Sequence, residues 1–423
     1  ALGNYGLSGK NGMIRTFRRS FFDGNTYVAL TALSVFGASG PSGDSTGERG
    51  EAYSALERIA GNKGNGYLWQ FQAEAAAALA KLEGAVALPV IKPAGSANHL
   101  LEGELIIAAG TTGAPEASTL LLSYLGNHDP VLYRSALEGL RALGEKHPGS
   151  AGIVRMAADA AVAALPAHDV SVVTTAASIL GDTLFRSTAS VEPLIKILGK
   201  LRVPDDVEAM QEIAAALGKL KDQRAVDVLR QQLEQPDRSV ALAAAAALKS
   251  ITGQDVSAEV PKSFEPLRTD FDFTYLHSLP DIVRVRIETI RGDITIELYK
   301  NIAPFTVMSF LKLATQRAFY RGLTFHRVVP NFVIQGGDPR GDGWGGPGYS
   351  IRSEFSALTY EAGSLGIASS GKDTEGSQFF ITQSPQPHLD GRYTLFGKVV
   401  SGMDAVDQIQ IDDHIFDVKI VRE

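Results

Sequence analysis

Cysteine is missing from the whole of this 423-residue chain. Its absence excludes disulfide bridges, thiolate zinc sites and cysteine nucleophiles together. It leaves the compartment open, since reducing and oxidising surroundings both tolerate such chains. Long apolar runs are missing too. No stretch reaches the ~18 residues that a spanning helix needs, and the short apolar segment from Tyr27 to Phe36 predicts a packed helix instead. Runs of Lys and Arg are absent, and the formal net charge is -7. A nucleic-acid surface needs a basic face and an anionic membrane surface needs clustered cations, so neither partner is expected. The eight histidines are scattered without a close ligand pair, so no metal site is expected. The chain begins at Ala1 without Met, as a processed mature form or a trimmed chain would, and a removed signal peptide is compatible with it.

What is present divides into two grammars, and the length alone favours two or three domains. Up to about Gly253 the chain is rich in Ala and Leu at helical spacing. Met210, Ile213, Ala214, Leu217 and Leu220 fall on one stripe. Ala225, Val228, Leu229 and Leu233 form the next, and Val240, Ala244, Ala247, Leu248 and Ile251 a third. Each stripe predicts an amphipathic helix. The polar turns Lys221-Asp222-Gln223 and Pro236-Asp237-Arg238 separate them, with residues that suit helix starts. The Ala-Leu pair at Ala216-Leu217 returns at Ala247-Leu248, with earlier relatives at Ala78-Leu79, Ala142-Leu143-Gly144 and Ile179-Leu180-Gly181. A period of roughly 30 to 40 residues built from paired helices predicts a helical solenoid over residues 1–253. Its wording is similar to HEAT repeats. Register is poor before about residue 115, and Gly37 to Gly50 and Leu88 to Ser96 read as loops.

Residues 254–282 read as a junction. Pro261, Pro266 and Pro280 oppose a continuous helix, while Phe264, Phe271, Phe273, Tyr275 and Leu276 are too apolar for a free linker. The segment is expected to lie across one or both domains. From Val283 to Glu423 the period becomes two: Val283, Val285 and Ile287, then Ile294, Ile296 and Leu298 after Arg291-Gly292-Asp293. That pattern predicts a hairpin with one buried face. Pro304 opens a helix carrying Val307, Phe310, Leu311 and Ala314, and short strands broken by Gly-rich turns follow. Together these predict a closed antiparallel β-barrel capped by helices.

The most informative stretch runs Phe325-His326-Arg327-Val328-Val329-Pro330-Asn331-Phe332-Val333-Ile334-Gln335-Gly336-Gly337-Asp338. Arg327, Phe332 and Gln335 alternate with small and β-branched residues, so a strand could aim a cation, a ring and an amide at one cleft. Further on come Gly376-Ser377-Gln378-Phe379-Phe380 and Leu389-Asp390-Gly391. In order and wording these motifs resemble the cyclophilin family of peptidyl-prolyl cis-trans isomerases, over about the last third of the chain. The resemblance implies an eight-stranded antiparallel barrel with two capping helices, an isomerase that needs no cofactor, and a set of site residues. Arg327 would stabilise the twisted X-Pro amide, Phe332 would form the ring of the proline pocket, and Gln335 would hold the substrate backbone. Phe380 and Leu389 match further walls, Gln378 a polar neighbour, and Ala368 and Ser369 the strand edge along which a peptide lies. His326, Gly343, His388 and Tyr393 complete the cleft. His388 stands where many members carry Trp, Tyr393 where His is common and Ser369 where Asn is common. The first departure bears against binding of cyclosporin-type inhibitors.

The expected partners are proline-containing peptides or unfolded protein clients at the barrel, with protein partners on the helical repeats. A non-catalytic adaptor that grips proline-containing segments is the alternative. Such two-part chains look bacterial, and a location in the envelope or outside the cell is expected, with the cytoplasm as alternative. Three tempting motifs are set aside. Gly341-Asp342-Gly343-Trp344-Gly345-Gly346 matches a dinucleotide fingerprint, but Pro347 and Gly348 follow instead of a helix, so the phosphate would lack its dipole. Gly366-Ile367-Ala368-Ser369-Ser370-Gly371-Lys372 imitates a phosphate loop, with Asp373 where a Ser or Thr is required. Gly43-Asp44-Ser45 reads as a flexible loop and not as a nucleophile. His326, beside Arg327, reads as a structural or cleft-rim residue because isomerisation transfers no proton.

Overall fold

The computed structural model describes residues 19–23, 26–39, 48–62, 67–91, 93, 95–203, 205–261 and 272–421. They fall into two compact units, one within 1–200 plus 212–226, the other within 201–211 plus 227–423. The set-aside motif at Gly43-Asp44-Ser45, and Phe264, Pro266 and Phe271 of the junction, lie outside the described residues. No helix among the described residues is long and apolar enough to cross a membrane.

The first unit is helical. Its helices are α1 (Thr26–Ser39), α2 (Glu48–Ala60), α3 (Trp69–Glu83), α4 (Leu88–Ile91), α5 (His99–Thr111), α6 (Ala117–Ser123), α7 (Pro130–Lys146), α8 (Ala151–Ala164), α9 (Val170–Gly181) and α10 (Val191–Leu198). Helices α1 and α2 pack on α3, α3 on α5, α5 on α7, and α7 on α9, with α8 against both α7 and α9. The expected loop at Leu88 to Ser96 is corrected at its start, because Leu88–Ile91 forms a helical turn that buries Ile91. Likewise α1 runs through Gly37 to Ser39 and α2 begins at Glu48, inside the stretch read as a loop. Space explains the glycine inside α1: a Cβ at Gly37 would lie 2.8 Å from Ala78 on α3.

Three further helices carry the stripes seen in the sequence: α11 (Val207–Leu220), α12 (Val226–Gln232) and α13 (Arg238–Thr252). The polar turns work as caps. Asp222 accepts the Arg224 N–H at 3.0 Å, and Asp237 accepts those of Ser239 at 2.8 Å and Val240 at 3.1 Å. Gly253 ends α13 with φ +78°, the left-handed residue that closes many helices. Replacing Asp237 by alanine leaves two N–H groups of the first turn without their acceptor. It should cost about 1 kcal/mol, read as a lower urea midpoint; an unchanged midpoint would show that the cap contributes nothing.

The second unit is built on an antiparallel sheet of β1 (Ile282–Thr289), β2 (Gly292–Tyr299), β3 (Arg327–Val329), β4 (Val333–Gly336), β5 (Ser364–Ile367), β6 (Phe379–Thr382), β7 (Leu395–Ser401) and β8 (Ile415–Ile420). Strand order is β3-β4-β6-β5-β7-β2-β1-β8. The alternation in β1 and β2 sends Val283, Val285, Ile287, Ile294, Ile296 and Leu298 to one buried face. Thr289 pairs with Gly292 across a two-residue turn. Gly292 has φ +124° there, so a side chain would be strained. In the first turn of α15 (Pro304–Gln316), Glu354 accepts the N–H groups of Phe305 at 3.1 Å and Thr306 at 2.9 Å. Helix α15 then buries Val307, Phe310, Leu311 and Ala314 on the sheet. The Phe310 ring meets Tyr320, Phe379 and Phe396 at 4.9–5.7 Å. The helix α14 (Phe273–Ser278) precedes β1, and its Tyr275, with Leu279 after it, packs on the same core. The helix α16 (Met403–Gln408) lies between β7 and β8.

The expected closed barrel is corrected to a curled half-barrel. Strands β3 and β8 end the sheet and share no ladder. The segment before β3 meets the start of β8 instead, through the isolated bridge Thr324–His414 and bonds such as Ile415 N–H to Leu323 O at 2.8 Å. β3 is only three residues long and all three pair with β4, while the contact toward β8 is made by the residues ahead of it.

Candidate active site

The stretch from Phe325 to Asp338 is not one strand. It turns back at Pro330-Asn331-Phe332, so that Val329 faces Val333 and Arg327 faces Gln335. Asn331 takes φ +60°, a conformation that Asn tolerates better than most residues. Its N–H donates to Gln383 Oε1 at 2.8 Å, and its carbonyl accepts from Ser384 Oγ at 2.7 Å and Gln386 Nε2 at 3.0 Å. These bonds pin the turn that presents Phe332.

The register continues across the sheet. Gln335 on β4 faces Phe380 on β6, and Phe380 faces Gly366 on β5. Directly opposed residues point to the same face. Arg327, Gln335 and Phe380 therefore stand in one row, and the next position in it has no side chain. A Cβ at Gly366 would lie 2.3 Å from Phe380 Cζ and 2.6 Å from the Tyr360 hydroxyl. Glycine leaves room for the Phe380 ring, which stacks on Tyr360 at 5.6 Å and meets the edge of Tyr393 at 5.9 Å.

The polar half of the row is a chain of hydrogen bonds. Arg327 Nη1 donates to Gln335 Oε1 at 3.2 Å, Gln335 Nε2 to Gln378 Oε1 at 3.0 Å, and Gln378 Nε2 to the carbonyls of Gly343 and Gly345, both at 2.9 Å. Buried Asp338 holds that last loop by accepting the N–H groups of Arg340 at 2.8 Å, Asp342 at 3.0 Å and Gly343 at 2.5 Å. Both side-chain amides are thereby fixed in orientation. The Arg327 guanidinium lies 5.7 Å from the centre of the Phe332 ring, within the range of a cation–π contact. On that ring His388 also stacks, at 5.4 Å.

The apolar half is a small cluster of Val333, Tyr360, Phe380, Leu389 and Leu395, with Phe332, Ala368 and Tyr393 packed against it. Ala368 donates its N–H to Gln378 O at 2.8 Å. Ser369 follows it, half-buried. Burial lowers the pKa of His326 below the ordinary histidine range, against the opposing pull of Asp338 and Asp342, so its imidazole is neutral at pH 7.

The fold thus brings Arg327, Phe332, Gln335, Ala368, Gln378, Phe380, His388, Leu389, Tyr393 and Gly343 together. Sequence reasoning missed Tyr360, Val333 and Leu395 of the apolar cluster, and Asp338, which organises the loop. Val333 and Leu395 carried only the signal of ordinary strand residues. Tyr360 lies in an irregular stretch where no period marks it. Asp338 could have been found as a carboxylate directly after two glycines, a place where an Asp commonly accepts the N–H groups of a following turn.

One face of the curled antiparallel sheet thus carries a cation, two oriented amides and an aromatic notch. The profile of the family described as "Cyclophilin type peptidyl-prolyl cis-trans isomerase/CLD" matches residues 283–422. The chain belongs to the cyclophilin family and is a peptidyl-prolyl cis-trans isomerase. It is 53% identical over 131 residues to "Peptidyl-prolyl cis-trans isomerase B" of Bacillus subtilis, which covers 30% of this chain and 91% of the relative. It is 48% identical over 139 residues to "Peptidyl-prolyl cis-trans isomerase" of Synechococcus elongatus, over 32% of this chain and 95% of the relative. A crystal structure of a Cryptosporidium parvum cyclophilin type peptidyl-prolyl cis-trans isomerase is 35% identical and covers 34% of this chain and 99% of that one. Its TM-score of 0.32 is too low to add to the assignment. In the helical region, the profile described as "PBS lyase HEAT-like repeat" matches residues 211–235.

Proposed function

We propose that Arg327 is the catalytic group of this isomerase and that the helical repeats recruit its protein substrates. An X-Pro bond turns slowly because its partial double bond must be lost, at a cost of ~18–20 kcal/mol. No covalent bond is made or broken. In the twisted amide the nitrogen regains its lone pair, so a fixed donor beside it binds the transition state better than either planar form. Arginine suits the task because it stays charged and presents its donors from a rigid plane. Gln335 holds that plane through its Oε1. The pyrrolidine ring sits against Phe332, Phe380 and Leu389, while the peptide backbone runs past Ala368 and Ser369 toward Gln378. His388, Tyr393, His326 and Gly343 border the cleft. The observation that supports this reading is the row Arg327–Gln335–Phe380 across β3, β4 and β6, with the apolar cluster at its end. The test is catalysed cis-to-trans conversion of a short X-Pro peptide. If wild type and Arg327→Ala convert it equally slowly, the assignment fails.

The stacked helices of residues 1–253, read as a HEAT-like solenoid, supply a surface for protein partners or clients, and residues 254–282 join it to the isomerase domain at 283–423. Tethering raises the local concentration of client prolines at the cleft. Separating the chain near Asp255 is expected to abolish capture of an unfolded proline-containing client while leaving the rate on a short peptide within about twofold. Equal client capture by the isolated domain would show that the repeats do not recruit.

A further inference from the structure

Glu375 immediately precedes Gly376-Ser377-Gln378, the stretch that carries one end of the amide chain. It is 1% exposed. Its carbonyl accepts the Ile351 N–H at 2.7 Å, in an isolated bridge that ties the two loops. Thr394 donates to Glu375 Oε1 at 3.4 Å, while Oε2 has no hydrogen-bond partner among the described residues. The same Thr394 hydroxyl accepts the Glu354 N–H at 2.7 Å, and the Glu354 carboxylate caps α15. Glu375 therefore sits at a junction between the peptide-facing loop, the 351–354 segment and the start of β7.

Several groups face it. Asp373 comes from its own loop, Ser353 from the 351–354 segment and Thr394 from the residue before β7. Tyr360 stands beside it, with Asp390 beyond, accepting the Tyr360 N–H at 2.8 Å. The Arg352 guanidinium acts on Glu354 and lies over the Phe305 ring at 4.6 Å. The charge that faces Glu375 directly, on Asp373, is of the same sign. Burial is the largest influence and, with Asp373, raises the pKa of Glu375 to about 7, against the hydroxyls of Ser353 and Thr394 and its own backbone N–H.

We propose that Glu375 is a positioning residue for the loop wall at 374–378. In its neutral form it packs in place, and on ionisation the unpaired buried oxygen draws the wall toward water and weakens the hold on the peptide. An ionised carboxylate with one buried oxygen left unpaired is far costlier to hold in place than a neutral one. The inference rests on the peptide site proposed above and deepens it, because Gln378 moves with the wall. The direction follows from linkage. Between the ordinary value of 4.5 and about 7 the folded chain keeps a proton that the unfolded chain has lost. The stabilisation is complete below that window and is lost as pH rises through it. His326, shifted downward by burial, does not titrate near its upper end.

The test is a pH profile of the full-length chain on a short X-Pro peptide, from about pH 5.5 to about pH 8.5. Wild type is expected to show KM rising several-fold, roughly 3–10, through about pH 7 with kcat changing less, and Glu375→Gln, neutral throughout, to show a flat profile. In parallel, the Gly376 amide resonance of wild type is expected to titrate with the same midpoint. A wild-type profile that superimposes on that of Glu375→Gln overturns the proposal. So does a Gly376 resonance that stays fixed over the range, a readout that needs no turnover and no variant and is independent of whether Arg327 is the catalytic group.

Discussion

Arg327→Ala is expected to lower kcat/KM on a short X-Pro peptide by about 10²–10³, equivalent to about 3–4 kcal/mol of transition-state stabilisation. The effect should fall on kcat more than on KM, because the lone pair that the guanidinium meets exists only in the twisted amide. Arg327→Lys should recover little. Lysine keeps the charge but loses the planar fork that both reaches Gln335 Oε1 and lies beside the Phe332 ring. Stability is the control. The Arg327 side chain is exposed, and removing it should change folding by no more than about 0.5 kcal/mol. A loss of activity that tracked a loss of folding would point to a structural role. Peptide binding that survives Arg327→Ala with turnover absent in both proteins would favour the adaptor reading instead.

How far the site could be read from the sequence depends on how local each signal is. The alternation in β1 and β2, and the helix opened by Pro304, are set by neighbours in the chain and were legible. Arg327, Phe332 and Gln335 were legible as a group because one hairpin carries all three. That the stretch is a hairpin was not, since the turn depends on Asn331 adopting φ +60° and on anchors at Gln383, Ser384 and Gln386, some fifty residues away. Tyr360 and Glu375 act through burial from distant segments, which no period records. The open sheet is a further case, because strand patterns tell which face is buried but not which edge strands pair. In the helical region the stripes of α11 and α13 were clear, whereas α5 was not. Leu101, Glu102, Gly103, Leu105, Ile106, Ala108, Ala109 and Gly110 of α5 are all buried. A helix enclosed on most sides shows no polar face by which to read its register.

That same enclosure makes α5 a sensitive element of the helical unit. Gly103 and Gly110 of α5 face Ser135 and Gly139 of α7, and the closest approach is backbone to backbone. A Cβ at Gly110 would lie 2.0 Å from Gly139 O and 2.6 Å from Gly139 Cα. In an unconstrained helix Gly→Ala stabilises by about 0.5–1 kcal/mol. Here the sign should reverse, because backbone atoms cannot rotate away and the two helices must separate along their whole contact. Gly110→Ala is expected to destabilise the unit by about 1–3 kcal/mol, and Gly110→Leu by about 3 kcal/mol or more. For a unit of this size that larger loss corresponds to a fall in Tm of about 6–12 °C. Isomerase activity on a short peptide should stay within about twofold in both variants at a temperature where the chain is folded, since Arg327, Gln335 and Phe380 belong to the other compact unit. A Tm raised by Gly110→Ala would mean that helix propensity outweighs contact and that α5 and α7 do not meet at these glycines. A collapse of peptide turnover alongside the fall in Tm would mean instead that the isomerase fold leans on the repeats for its own stability.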